Sequence, residues 1–414
     1  MNILFLHQNF PGQFKHLAPA LAQSGHRVLA LTSRVKTAQT WNGVQIVPYA
    51  WSEPEGQKHH PWLTNLNAAT HRGTAVYRAS HALAERGYRP DMIVAHTGWG
   101  EALFVRDVWP DVRLGTFSEF YYQAEGADIG FDPEFALTNA FGEAARMRFR
   151  NLSMRTQLES ADMALCPTHW QASTHPADLR HKITVVHDGI DTATARPDPA
   201  AEFRHEELRL GTGDEVITFV NRNLEPYRGF HVFMRALGEL LKRRPQARVV
   251  IVGGDGISYG AAPKDGRTWK EVMLAEVRAG IPDDDWARVH FVGKVPYDQF
   301  LNLLRVSTVH VYLTYPFVLS WSLMEAMACE AAIVASDTRP VTEVISDGET
   351  GLLVNFFDGR AMVERVDALC RDPERRRELG QAARRKILEE YDLAKVCLPK
   401  QFEWVEALSA VRRD

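Results

Sequence analysis

The sequence has few cysteines, no long apolar run and little net charge. Its four cysteines, Cys166, Cys329, Cys370 and Cys397, are scattered and include no CxxC pair. This spacing excludes a disulfide framework and a cysteine-based zinc site, so we expect small buried thiols in a reducing compartment. No apolar run approaches the ~20 residues of a membrane-spanning helix. The formal net charge of -4 provides no general attraction to nucleic acid.

The first residues also lack the basic and apolar regions of a secretory signal, and Asn2–Leu6 predicts a strand instead. We therefore expect a cytoplasmic protein. A helical pattern over 135–159 carries arginines that do not share one narrow stripe, which favours a solvated helix face. An anionic acceptor, or peripheral contact with the inner membrane face, is the alternative interpretation of this helix.

The chain does contain two series of alternating strand and helix patterns, one over 1–190 and one over 214–392. Residues 191–213 are rich in proline, alanine and charge, which predicts a linker. The last helical pattern covers about 393–414. Alternating strands and helices predict the α/β class with parallel sheets, and the two series predict two Rossmann-like domains.

The stretch Tyr315–Asp337 carries the clearest functional signal. It follows a buried strand pattern, Val309–Leu313, and contains a short helix over 322–329 and a second buried strand at 332–335. Strand, helix and strand form a βαβ unit, which predicts a parallel sheet. The loop 316–321 then lies at the carboxyl end of a strand and the amino end of a helix. Free N–H groups and the positive helix end attract phosphate there.

Three polar side chains accompany this loop. Ser320 and Ser322 add hydroxyls at the start of the helix. Glu325 has two interpretations, and the spacing Ser322-x-x-Glu325 favours the structural one, a capping box. In the functional interpretation, its carboxylate accepts hydrogen bonds from two neighbouring hydroxyls of a ribose.

The segment Asn221–Gly229 follows another buried strand and precedes a helix. It contains Arg222 and Arg228, and two arginines in one such loop can clamp a diphosphate. Two exposed loop arginines are the alternative.

Two glycines and a histidine mark further strand ends. Gly12 lies in the turn after the first strand, where it permits close approach of a ligand or simply a tight turn. His96 ends a buried strand, where a lone histidine is more often structural. Gly254 lies in a glycine-rich turn whose spacing is not the dinucleotide-binding fingerprint.

The string SLMEAMACEAAIVASD, at 322–337, resembles the signature of the retaining glycosyltransferases of family four. The resemblance covers most of the chain and is strongest over 216–355. It implies the GT-B fold, with two Rossmann-like domains facing across a cleft and the last helix crossing back to the first domain. In that family a Glu at the position of Glu325 binds the nucleotide ribose. An Arg and a Lys contact the donor pyrophosphate where Arg222 and Arg228 stand in this sequence.

The resemblance also implies roles for other positions. His96 would bond to the donor sugar, and Gly12 would face the donor phosphates and the acceptor. Gly254 would approach the nucleotide, and the backbone at Val292 would pack beside the base. Phe317 stands where the family often has a second Glu facing the transferred sugar, so backbone amides are expected to replace it. The implied contacts around the helix start are Val318, Leu319, Ser320, Trp321 and Ser322.

These roles imply a retaining hexosyltransferase that moves a sugar from a nucleotide-diphosphate sugar to a hydroxyl of a sugar, lipid-linked or protein acceptor. No cofactor is expected. The run Asp283–Asp285 matches a DxD metal motif, but its place in a polar turn before a strand disfavours a metal role. The alternatives are a GT-B glycosyl phosphorylase, a sugar-nucleotide epimerase, and a non-catalytic sugar-nucleotide-binding protein, the last suggested by Phe317. Donor base, sugar, acceptor and oligomeric state have no motif in the sequence.

Overall fold

The structure of the chain is a computed structural model that describes residues 1–53, 58–135 and 140–412. Part of the helix predicted over 135–159 lies outside the described residues. None of the helices within these ranges is both long and apolar enough to span a bilayer. The four cysteine side chains are buried.

The chain divides into two units. The first contains Met1–Gly189 together with Ala394–Asp414, and the second contains Ile190–Leu393. The C-terminal residues thus belong to the first unit, although they follow the second in sequence.

The first unit contains a largely parallel sheet. Its strands are β1 (Asn2–Leu6), β2 (Arg27–Thr32), β3 (Gln39–Trp41), β4 (Val44–Pro48), β5 (Met92–His96), β6 (Arg113–Phe117), β7 (Met163–Cys166) and β8 (Ile183–Val185). The strand order is β3-β4-β2-β1-β5-β6-β7-β8. Only the short β3, which the sequence did not predict, pairs antiparallel with its neighbour among these described strands. Its helices before the second unit are α1 (Leu17–Gln23), α2 (Thr64–Glu85), α3 (Val105–Val108), α4 (Ala140–Ser160) and α5 (His169–Ser173).

The second unit contains a β-hairpin and a parallel sheet. The hairpin strands are β9 (Glu202–His205) and β10 (Leu208–Gly211), and the sheet strands are β11 (Val216–Asn223), β12 (Arg248–Gly254), β13 (Val289–Gly293), β14 (Val309–Tyr312), β15 (Ile333–Ser336) and β16 (Leu352–Val354). The sheet order is β13-β12-β11-β14-β15-β16. The helices are α6 (Phe230–Arg243), α7 (Trp269–Val277), α8 (Asp283–Trp286), α9 (Tyr297–Val306), α10 (Trp321–Ala328), α11 (Arg339–Thr342), α12 (Gly359–Arg371) and α13 (Pro373–Lys386).

The hairpin β9–β10 corrects the prediction that 191–213 is a linker. Phe203 and Leu210 pair across the hairpin, and both are buried in the core of the second unit. Burial of these two side chains ties the segment to that unit. Composition alone does not reveal the hairpin, because single apolar residues alternate with charged ones over strands that are too short to show a clear pattern.

The final helix, α14 (Leu398–Ala410), packs on the first sheet. Trp404 and Leu408 join its buried core together with Phe5 and Phe117. Gly115, in β6, makes the close contact: a Cβ there would lie 2.3 Å from the Trp404 ring. The glycine is therefore needed for helix and strand to approach.

The strand order reverses once in each sheet. In the first unit it reverses between β1 and β5, and in the second between β11 and β14. Open α/β sheets bind ligands at such switch points, outside the carboxyl ends of the strands. The predicted α/β class with Rossmann-like sheets is confirmed. The two switch points are the positions at which such sheets are expected to bind ligands.

Candidate functional site

Two histidines flank the switch point of the first sheet. His7 directly follows β1 and His96 ends β5, and their ring centroids lie 5.3 Å apart. Both are buried, with 1% and 2% of their surface exposed. The His96 ring lies between Trp99 and Phe117, at 4.4 Å and 5.6 Å between centroids. The switch point thus holds two histidines in fixed orientations.

Backbone contacts set the tautomer of His7 and orient a chain of side chains. Nδ1 of His7 accepts a hydrogen bond from the N–H of Asn9 at 3.0 Å, so Nε2 carries the hydrogen. Nε2 donates to Oε1 of Gln13 at 2.8 Å, and Nε2 of Gln13 donates to Oε1 of Glu119 at 2.8 Å. None of His7, Gln13 and Glu119 was predicted from the sequence as a site residue. The sequence signal for His7 and Glu119 is a polar residue just beyond a buried strand, β1 for one and β6 for the other. Both strands neighbour β5 in the sheet.

His96 meets the same carboxylate from the other side. Its Nδ1 accepts the N–H of Gly98 at 3.0 Å, so Nε2 carries the hydrogen. That nitrogen lies 3.6 Å from Oε2 of Glu119. His96 therefore belongs to a group of four side chains and is not an isolated core histidine.

The charge states in this group follow from burial and from the neighbours. Burial and the nearby His96 lower the pKa of His7 to about 3, so His7 is neutral near pH 7. Burial alone would raise the pKa of Glu119, but the nearby His96 ring and the hydrogen bond from Gln13 outweigh it and lower that pKa. Glu119 is thus a carboxylate beside neutral His7.

Gly12 supports this group sterically. Its φ is +48°, and a Cβ there would lie 2.3 Å from Nε2 of His7. A side chain would therefore displace the ring that orients Gln13. Its predicted contact with a donor phosphate or an acceptor stays a prediction.

In the second unit, Arg222 lies at the carboxyl end of β11, beside the switch point with β14. Its side chain is exposed, and it has no hydrogen-bond or ion-pair partner within the described ranges. An exposed guanidinium at this edge is available to an anion.

Arg228 is placed differently from the exposed loop arginine that was the alternative. It is 5% exposed, and Nη1 donates to the hydroxyls of Tyr312 at 3.1 Å and Thr314 at 2.7 Å. Nη2 donates to the carbonyl of Val318 at 3.1 Å. Arg228 therefore ties the loop after β14 to the loop after β11, and its predicted phosphate contact stays a prediction.

The start of α10 corrects the capping-box interpretation. The N-cap is Ser320, whose Oγ accepts the N–H of Ser322 at 3.2 Å. Because the helix begins at Trp321, Glu325 lies beyond the first turn and does not cap it. Its Oε1 accepts a 2.6 Å hydrogen bond from the hydroxyl of Tyr297, a residue that the sequence analysis missed. The carboxylate is half-buried.

The remaining predicted residues divide by exposure. The side chains of Leu319 and Val292 are buried in the core, so only their backbone can meet a ligand. Trp321 is exposed at the helix start. Gly254 ends β12, and a Cβ there would lie 2.6 Å from Cε of Lys294. Phe317 is buried, and its ring lies 5.0 Å from that of Tyr259.

The acidic run Asp283–Asp285 forms a short helix, not the polar turn expected. Asp283 pairs with Arg278, and Asp285 pairs with Arg288 at 2.6 Å. Arginine partners satisfy these carboxylates locally.

Solved structures share this architecture over the whole chain. A sucrose-phosphate synthase from Thermosynechococcus elongatus has a TM-score of 0.72 with 16% identity, covering 99% of this chain and 100% of that one. HepE from Anabaena, in complex with UDP-glucose, has a TM-score of 0.67 with 16% identity, covering 98% and 100%. Such low identities establish the fold alone, and that fold is GT-B, with two Rossmann-like domains.

Sequence comparison then identifies the family. Residues 24–195 match the glycosyl transferase family 4 group, and residues 201–386 match glycosyl transferases group 1. The chain therefore belongs to the glycosyltransferases of family four, as its signature predicted. An α-maltose-1-phosphate synthase from Mycolicibacterium smegmatis is 30% identical over 261 residues, which are 58% of this chain and 62% of that one. Across this and three further curated relatives, the match spans 48% to 62% of their length.

Proposed function

We propose that the protein transfers a sugar, with retention of configuration, from a nucleoside-diphosphate sugar to an acceptor hydroxyl. The carrying observation is the second switch point. There the exposed Arg222 ends β11, and the adjacent strand β14 leads into the Ser320-capped start of α10. A guanidinium and a helix amino end at one sheet edge form a site for a diphosphate.

The reaction requires stabilisation of the charges that develop in its transition state. As the glycosidic bond breaks, negative charge grows on the leaving phosphate and positive charge grows on the sugar ring. Arg222, the buried cation Arg228 and the amino end of α10 would stabilise the phosphate most strongly in that state. These groups supply the charge that a divalent metal supplies in other transferases, so we propose a metal-independent reaction.

Glu325 and His96 would hold the rest of the donor. Glu325 would accept hydrogen bonds from the ribose hydroxyls, with its carboxylate oriented by Tyr297. His96 would donate from Nε2 to the transferred sugar. The acceptor hydroxyl would attack from the side of the leaving group, and the departing phosphate oxygen would take its proton.

The partners proposed are a nucleotide-sugar donor and a sugar, lipid-linked or protein acceptor, in the cytoplasm. HepE is described in complex with UDP-glucose, so a UDP-sugar is the first donor to test. The phosphorylase alternative requires inorganic phosphate and no nucleotide. The binding-only alternative rests on Phe317, because its buried ring offers the sugar no polar group at the position where the family often has a Glu.

The first test is a thermal-shift panel with UDP, GDP, ADP and TDP and their common sugar conjugates, without added metal. A ligand at about 100 times its Kd adds about 2.7 kcal/mol of stability. Arg222→Met should abolish the shift given by the best nucleotide. Arg377→Met is the matched control, because Arg377 is also exposed without a partner in the described second unit. No shift with any nucleotide, or an unchanged shift in Arg222→Met, would refute the proposed donor site.

Release of free nucleotide from the stabilising sugar conjugate then distinguishes a transferase from a binding protein. An enzyme releases it, slowly to water and faster with an acceptor. A binding protein gives the thermal shift and no release.

A further inference from the structure

His96 and Glu119 present a hydrogen-bond donor and an acceptor to the same point. Nε2 of His96 is buried and has no hydrogen-bond partner within the described chain. The nearest carboxylate oxygen, Oε2 of Glu119, lies 3.6 Å away, beyond normal hydrogen-bond distance. A buried N–H without a partner in a folded protein calls for an explanation, and a ligand atom is one.

Other contacts of Glu119 maintain the gap between its Oε2 and Nε2 of His96. Oε1 is held by Nε2 of Gln13 at 2.8 Å, and the main-chain carbonyl of Glu119 accepts from Nε2 of Gln171 at 2.8 Å. Gln13 is in turn oriented by His7 at 2.8 Å. The carboxylate cannot turn fully toward His96 without giving up Gln13. Its side chain is 25% exposed, so an external group can reach it.

We infer that one hydroxyl of the transferred sugar binds between His96 and Glu119. Its oxygen accepts the Nε2–H of His96, and its hydrogen is donated to Oε2 of Glu119. This inference rests on the proposed function, in which His96 contacts that sugar. It adds Glu119 as a sugar-binding residue, with Gln13 and His7 as positioning residues.

The pair has a definite chemical preference. An alcohol is both donor and acceptor, so it satisfies both partners at once. A deoxy carbon satisfies neither, and a fluorine cannot donate to the carboxylate. A phosphate at that position would meet a charge of its own sign, because the lowered pKa keeps Glu119 ionised. The site therefore selects a sugar with a free, uncharged hydroxyl at one of its positions.

The experiment measures kcat/KM for nucleotide release from UDP-glucose and its 2-, 3-, 4- and 6-deoxy and deoxyfluoro analogues. If guanine nucleotides give the larger thermal shift, GDP-mannose and its analogues are used. Sites that pair with a substrate hydroxyl reject analogues lacking it by large factors. For wild type we expect one position at which both analogues lose at least a hundredfold.

Variants then assign that position to Glu119. Glu119→Gln should lower kcat/KM at least tenfold for the parent sugar nucleotide and only slightly for the analogues modified at that position. The ratio of kcat/KM between parent and analogue should therefore fall at least tenfold. Gln13→Met leaves the carboxylate in place and should give a smaller change in the same direction. Asp111→Asn, which alters an exposed carboxylate of the same unit, should change nothing.

Each outcome decides the inference. Equal losses on the parent and on every analogue, in both Glu119→Gln and Gln13→Met, would show a merely structural role and overturn it. Unchanged discrimination in both variants would overturn it as well. If Glu119→Gln does not fold, Gln13→Met decides alone. Failure of the proposed function is distinct, because wild type would then cleave no sugar nucleotide.

Discussion

The hydroxyl of Tyr297 donates a 2.6 Å hydrogen bond to Oε1 of Glu325. The two residues lie on α9 and α10, the helices that follow β13 and β14. Burial and the charge of Glu325 raise the pKa of Tyr297 above its usual range, so the phenol remains a donor. The bond fixes the orientation of a carboxylate that plays no part in capping its helix.

Tyr297→Phe should therefore weaken nucleotide binding without removing the ring. We expect UDP affinity to fall about five- to tenfold, because one hydrogen bond contributes about 1 kcal/mol to the free energy of binding. Calorimetric titration with UDP and with 2′,3′-dideoxy-UDP is the measurement. The dideoxy nucleotide should bind wild type and Tyr297→Phe equally, because it offers Glu325 no ribose hydroxyl. An equal loss for both nucleotides would mean that Tyr297 contacts another part of the ligand.

Arg228→Met should destabilise the second unit. The substitution leaves the carbonyl of Val318 and two buried hydroxyls without their charged donor, which should cost about 2 to 4 kcal/mol. Chemical denaturation measures the loss. Arg222→Met is the control and should leave stability within about 0.5 kcal/mol, because its side chain is exposed and makes no such contacts. Equal stability of both variants would contradict the anchoring role of Arg228.

Hydrophobic patterning was enough to predict the sheets. Buried runs such as Ile3–Leu6 and Val249–Val252 have no exposed face to confuse the pattern, as expected for parallel strands covered on both sides. The hairpin β9–β10 was missed, because four-residue strands with charged neighbours resemble a linker. Sequence periodicity becomes uninformative at that length.

The candidate site was predicted in part, for a physical reason. Arg222 and Glu325 belong to local motifs, so spacing and resemblance located them. Glu119 and Tyr297 act through partners far away in sequence, at separations of 106 and 28 residues. Only the strand order brings such pairs together. The capping-box prediction failed because Ser320, two residues earlier, provides the cap.

Gly12→Ala should disturb the first switch point more than a positive φ alone explains. The new Cβ would lie 2.3 Å from His7, whereas a Cβ added to Gly25, with φ of +86°, would meet no atom within 4 Å among the described residues. Gly25→Ala is therefore the matched control for backbone strain, which costs about 1 to 2 kcal/mol. We expect Gly12→Ala to melt at a lower temperature than Gly25→Ala. It should also lose sugar-nucleotide cleavage, which the control retains.

Metal chelation should leave the reaction intact. The acidic residues Asp283 and Asp285 are paired with arginines, and the proposed phosphate site uses Arg222 and a helix amino end. Nucleotide release from the best donor should be unchanged after dialysis against EDTA and should not rise with added Mg²⁺ or Mn²⁺. A loss restored by one of these ions would refute metal independence.

His310 should make the second unit sensitive to mild acid. It is fully buried in β14, its Nδ1 lies 2.9 Å from Oγ1 of Thr218, and burial lowers its pKa from 6.5 to about 4. Because the folded pKa is below the unfolded value, the unfolded chain takes up the proton first as the pH falls. The stability gained from neutral His310 is therefore complete above pH 6.5 and is lost between about pH 6.5 and pH 4. At pH 5 the loss from this residue should be about 2 kcal/mol.

Urea denaturation at pH 7.5 and pH 5, monitored by a signal from the second unit, tests this expectation. His310→Gln cannot titrate, so its stability should fall less between the two pH values, by about 2 kcal/mol. The substitution also perturbs the core, so the comparison is made within each protein and not between proteins at one pH. His175→Gln is the control, because burial also lowers the pKa of His175 to about 4 but the residue lies in the first unit. It should leave the pH response of the second unit unchanged, and an equal response in wild type and His310→Gln would contradict the assignment.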